Sequence, residues 1–147
     1  MLYKIELKTL PENAPSRVTL GPKELKTFLD KRYNYENDEA IVIGHDSLYD
    51  FLYDTANTGY DKVDSLGVVG TIRETIIEDD KLFLTVKLNE GVEISDRVIL
   101  FYRSTIKSIP LKYGGTWDIE IIAVDLINIR PSDNVDDDKL STIEKLY

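Results

Sequence analysis

Apolar and charged residues alternate at the start of the chain. Tyr3, Ile5 and Leu7 fall on one face of an extended segment, and Lys4, Glu6 and Lys8 on the other, the period of a half-buried β-strand. Pro11 and Pro15 bracket a turn, and residues 17–20 read as a second short extended piece. Gly21-Pro22 opens a helix, because proline at the first helical position gives up an N–H that has no partner there. Leu25, Phe28, Leu29 and Tyr33 follow at i, i+3, i+4, i+8, one apolar stripe for the core. After a polar connector at 34–39, the apolar run 40–43 predicts a strand buried on both faces. Gly44-His45-Asp46 ends it. Asp46 or Ser47 then caps a short helix whose inner face is Leu48, Phe51 and Leu52. The polar stretch 54–65 predicts a loop long enough to be functional or mobile.

Beyond residue 66 the pattern is that of strands. Residues 67–77 and 82–88 flank a hairpin turn at Glu78-Asp79-Asp80-Lys81, with Leu82, Leu84, Val86 and Leu88 alternating against Phe83, Thr85 and Lys87. Asn89-Glu90-Gly91 breaks the run. Residues 98–104 form the next strand, 112–115 turn the chain, and 117–130 form a long strand in which Trp117, Ile119, Ile121 and Ala123 share one face while Ile122, Val124 and Leu126 are apolar too. Such a strand belongs at the centre of a covered or closed sheet. Pro131 ends it, having no N–H for the ladder. Residues 133–138 are an acidic tail, and 139–146 predict a short terminal helix. The expected fold is α+β: a small, largely antiparallel β-barrel or bent sheet with two or three short helices. Residues 1–132 make its single domain and 133–147 the tail.

Composition removes functions and adds none. Of 147 residues, 18 are Lys or Arg and 27 Asp or Glu, a formal net charge of −9. That balance argues against direct binding to nucleic acid or to an anionic membrane surface. With no cysteine and one histidine, there is no disulfide, zinc–thiolate site, cysteine nucleophile or multi-histidine metal centre. The alternating N-terminus lacks the apolar core of a signal peptide, and no run approaches a membrane span, so a soluble, intracellular protein is expected. The tail has consecutive aspartates and no following glycine, so it does not form an EF-hand loop. Gly67-Val68-Val69-Gly70 lacks the rest of a phosphate loop, and no Gly-X-Ser-X-Gly elbow occurs. No cofactor or metal is expected.

What remains is His45 with the serines. A neutral imidazole can take a proton from a serine hydroxyl near neutral pH. His45 follows a buried strand that would hold it rigidly, and Ser104 lies at a strand end beside Arg103, whose charge would stabilise an oxyanion. Equally, His45 is a helix-start residue and Ser104 a strand-end hydroxyl. Spacing alone leaves both readings open.

Residues 45–134 carry a resemblance. Residues 41–45 look like a strand leading to a catalytic histidine. Val69-Gly70-Thr71-Ile72-Arg73 followed by residues 78–84 looks like a Val-Gly-X-Ile … Asp-Gly-Lys-Leu-Tyr hairpin. Residues 91–96 stand where a short helical segment belongs, Tyr102-Arg103-Ser104-Thr105 on a nucleophile strand, and residues 123–128 before Pro131-Ser132 on a closing strand. In this order of features the chain resembles the prohead (capsid-maturation) proteases of tailed bacteriophages, which share a fold with the herpesvirus assemblins. The resemblance implies His45 as general base, Ser104 as nucleophile, and Asp125 as the residue that orients the histidine. It also has departures: Ser104 is followed by Thr105-Ile106-Lys107 without glycine, and the arginine precedes the serine.

Those departures favour a protease-like fold kept for a structural task. The leading expectation is an auxiliary or decoration protein of the virion that acts in capsid assembly or stabilisation. Its partners would be the major capsid protein or scaffold, and it would be oligomeric within that assembly. The runner-up is an active prohead serine endopeptidase cleaving scaffold and capsid precursors; the third reading is a β-barrel interaction module of unrelated origin. Beside the resemblance, the negative charge would place the protein on the outer capsid face or against a basic scaffold, away from packaged DNA.

Overall fold

The computed structural model describes residues 1–8, 21–33, 41–58, 67–111 and 114–147; of residues 32, 54–58, 101, 103–111 and 114–123 it describes the backbone only. The turn expected at 11–15, the extended piece at 17–20, the connector at 34–39 and the tip of the turn at 112–113 lie outside the described residues.

The fold is α+β. Strands β1 (Leu2–Lys8), β2 (Ile41–His45), β3 (Val68–Glu78), β4 (Lys81–Leu88), β5 (Val98–Leu111) and β6 (Gly114–Asn128) close into a six-stranded barrel in the order β4-β3-β2-β6-β5-β1, with β1 returning to β4. A seventh strand, β7 (Ile143–Lys145), adds to β1. The barrel is mixed: β2–β6 and β1–β5 are parallel, and the remaining barrel pairs are antiparallel.

Inside, alternate residues of every strand meet. Ile5, Val42, Ile72, Leu84, Val86, Leu100, Tyr102 and Val124 have no exposed surface, and Leu25 and Leu29 of helix α1 (Pro22–Arg32) join them. Pro22 opens α1 as its fixed φ favours. On the polar side, Lys26 Nζ and Asp30 Oδ1 share the Thr75 hydroxyl at 2.8 and 2.7 Å, tying α1 to β3. The β3–β4 hairpin turns on Asp79 and Asp80, both left-handed (φ 50° and 60°), as a two-residue turn matched to strand twist requires. Gly70 admits no side chain, because a Cβ there would run into the Lys87 carbonyl oxygen of β4.

Outside the barrel, helix α2 (Leu48–Thr58) covers the β2–β6–β5 wall. Phe51, Ile99, Ile127 and Ile129 form a second apolar cluster there, joined by Leu48, Val135 and Leu140. β6 is therefore buried on both faces over Val124–Ile127, while the side chains of Trp117 to Ala123, on which the expectation mostly rests, lie outside the described residues.

Several expectations are corrected. α2 runs to Thr58 where a loop was expected from residue 54, and residues 59–66 lie outside the described residues. Leu52 is half exposed and does not belong to the inner face of α2. Residues 91–96 form no helix. β5 extends well past Ser104, and beyond Tyr102 and Val124 the described registers pair β5 and β6 only with each other. The terminal helix is instead a single 3-10 turn at Asp137–Lys139 followed by β7. The short run Ile143–Lys145 finds an open edge on β1, and strand pairing overrides its weak helical pattern. Glu6, expected on the solvent face, is buried because this segment crosses it: its backbone N–H donates to the Thr142 carbonyl, and its carboxylate accepts the Thr142 N–H at 3.1 Å.

Candidate functional site

The parallel pairing of β2 with β6 sets Ile43 level with Asp125 and His45 level with Ile127. Residues two apart on a strand share a face, so His45 and Asp125 emerge together on the outer wall, under α2. The imidazole donates from Nε2 to the Asp125 Oδ1 carboxylate oxygen at 2.8 Å, with both side chains buried. Phe51 of α2 packs its ring edge-on to the imidazole, centroids 4.9 Å apart. A buried carboxylate needs such a partner, since desolvation without compensation is costly.

Around the pair the chain is tied at short range. The Ser47 hydroxyl accepts the Asp50 N–H at 3.1 Å and so caps α2. The Asp133 carboxylate accepts the N–H of Arg130 at 2.8 Å and of Leu48 at 3.3 Å. Arg130 Nε donates to the Asp46 carbonyl at 2.8 Å, and the Asn128 side chain accepts the Ser95 N–H at 2.8 Å. The turn between β2 and α2 is thereby fixed to the exit of β6.

Beside this turn opens a cleft of about 510 Å3, lined by residues 44–46, Asp50, residues 67–69, residues 91–93, Leu126 and Asn128. Its titratable residues among those described are His45, Asp46, Asp50 and Glu93, and no serine, threonine, lysine or arginine is among the described lining residues. Gly44 keeps one wall flat, because a Cβ would collide with Val69. Among the described residues no cluster of three or more His, Asp or Glu is arranged to hold a metal ion.

A histidine held by a carboxylate is one part of a nucleophile-activating arrangement. The other part is a hydroxyl or thiol within about 3 Å of the ring. On β5 the residue level with Asp125 is Phe101, and the residue level with Ile127, and so with His45, is Ile99. Ser104 stands opposite Ile121, five residues along β5 from Ile99 and across a register shift. Five strand residues span roughly 16 Å, beyond the reach of a serine hydroxyl and an imidazole. Arg103 stands opposite Ala123. The side chains of Arg103 and Ser104 lie outside the described residues. The fold thus brings His45 to Asp125 and leaves Ser104 at a distant register.

Sequence reasoning reached Asp125 only through the resemblance and overlooked Asp133, Asn128, Asp50 and Glu93. The Pro131-Ser132-Asp133 exit of β6 was a signal for Asp133, since aspartate bonds backbone N–H groups in turns. The cleft carboxylates gave none in so acidic a chain. Comparison with known proteins finds no family model, no curated protein and no solved structure that matches this chain. Among the described residues no helix is long and apolar enough to cross a membrane.

Proposed function

We propose that this chain is a non-catalytic assembly protein of a tailed-phage virion, an auxiliary or decoration component built on a protease-like barrel. The observation that carries the reading is the register of β5 beside the His45–Asp125 pair. Phe101 and Ile99 occupy the two β5 positions level with the pair, and Ser104 stands five residues further along the strand from Ile99. The order of features over residues 45–134 supports the phage connection, and the closed mixed barrel is compatible with it. In this reading the pair works as an internal pin that holds α2 and the β6 exit to the barrel wall. The partners would be the major capsid protein or scaffold, and the net charge of −9 favours a position away from DNA.

The 2.8 Å contact between His45 and Asp125 also favours a second reading, an active serine endopeptidase that draws its hydroxyl from elsewhere. One experiment separates them. The protein is co-expressed with a candidate tailed-phage major capsid protein and scaffold, as wild type, His45→Ala and Ser104→Ala, and particles are purified by sedimentation. The assembly reading expects the wild type to co-sediment stoichiometrically with particles while the scaffold remains uncut. Scaffold cleavage that disappears in either variant overturns the non-catalytic reading. Absence of the protein from sedimented particles overturns the assembly reading.

A further inference from the structure

α2 is apolar on two faces. Phe51 points to the barrel and is buried, yet Tyr49, Leu52 and Tyr53 are 69%, 49% and 58% exposed. They stand at i, i+3 and i+4, so they form one stripe on the opposite side of the helix. Tyr49 and Tyr53 already stack on each other, centroids 6.1 Å apart and planes 22° from parallel. Among the described residues, the other exposed large apolar side chains are Met1, Leu146 and Tyr147, at the chain ends. A contiguous exposed apolar patch of this kind marks a contact surface. Tyrosine suits that role, since it supplies large contact area with few rotatable bonds.

The patch runs into the acidic cleft. Asp50 lines the cleft and stands one helical turn before Tyr53, and Asp46 and Glu93 line it too. Arg130 donates from Nε to the Asp46 carbonyl oxygen beside the cleft. Among the described lining residues the acidic side chains are three carboxylates, and on a chain of net charge −9 they favour an incoming positive group.

We propose that the outer face of α2 and the adjoining cleft dock a basic segment of a partner protein. That segment would place apolar side chains on Tyr49, Leu52 and Tyr53 and a lysine or arginine in the cleft against Asp50 and Glu93. The inference deepens the assembly reading and rests on it for the partner's identity, a capsid or scaffold protein.

The test uses the isolated full chain and three fluorescently labelled synthetic peptides of equal length: one of leucine and lysine, one of leucine and glutamate, one of serine and lysine. Anisotropy titrations should show saturable binding of the leucine–lysine peptide alone, weakened as salt rises past about 0.15 M. Tyr49→Ser/Tyr53→Ser and Asp50→Asn/Glu93→Gln should each raise its Kd by about tenfold or more, the loss of an interface anchor. Thermal melts check that both variants stay folded; Glu93→Gln alone, away from α2, serves should the Asp50 change unsettle the helix. Three results would overturn the proposal: no binding of the leucine–lysine peptide, equal binding of the serine–lysine peptide, or an unchanged Kd in either folded variant. Because no particle is present, this test can fail while co-sedimentation succeeds, and the reverse.

Discussion

Asp125 has no exposed surface and shares a hydrogen bond with an imidazole 80 residues earlier in the chain. Replacing it by alanine leaves the His45 ring N–H buried without that acceptor, which costs about 1–3 kcal/mol. Urea unfolding of Asp125→Ala should show this loss. The His45→Ala/Asp125→Ala double variant should be less destabilised than the sum of the singles, because neither buried group is then left facing a vacated partner. Strict additivity would mean that the pair is not coupled. At this scale the sequence was informative about residue types and silent about pairing. His45 stands out as the one histidine, but Asp125 is one of many acids until β2 and β6 lie side by side. Ser104 shows the converse: proximity to Arg103 in sequence suggested chemistry, and the register of β5 sends it elsewhere.

The elements follow local rules closely. The β3–β4 turn holds two aspartates at positive φ, a conformation that Asn-Gly adopts with less strain. Asp79→Asn/Asp80→Gly should therefore stabilise the protein by about 1 kcal/mol, read as a raised denaturation midpoint. Gly70→Val should do the opposite by about 3 kcal/mol or more, since the new side chain meets backbone of β4 that cannot step aside. β1, α1 and the β3–β4 hairpin were legible because periodicity and turn chemistry agree there. α2 was legible in place but not in length or in face. Its apolar residues lie around more than one side, so periodicity could not say that Leu52 faces out while Phe51 faces in.

For the molecule as a whole, the C-terminal segment is structural. Ser141 donates its N–H to the Val98 carbonyl and accepts the Leu100 N–H on its hydroxyl at 2.8 Å, while β7 pairs with β1. Arg97 reaches the Val135 carbonyl at 3.1 Å. Residues 133–147 thus lie across the parallel β1–β5 seam, where the two strands share only a short register. Truncation after residue 132 should remove cooperative unfolding or lower the melting temperature by tens of degrees, read by calorimetry; a truncated chain that melts like the full one would contradict this role. Leu84→Ala, at the barrel centre with no exposure, should cost about 2–5 kcal/mol.

By itself the sequence determined the fold class, the position of most described strands and many of the core-facing residues, because each rests on spacing within ten residues or so. Tertiary structure decided what spacing cannot encode. It closed the barrel through β1 and β4, set β2 parallel to β6 and so joined His45 to Asp125, and carried Ser104 along β5 away from both. It also turned a tail that reads as solvated into a strand and a clamp. The physical reason is the same throughout: burial and hydrogen-bond satisfaction are properties of neighbours in space, and a one-dimensional pattern specifies a face long before it specifies what that face will meet.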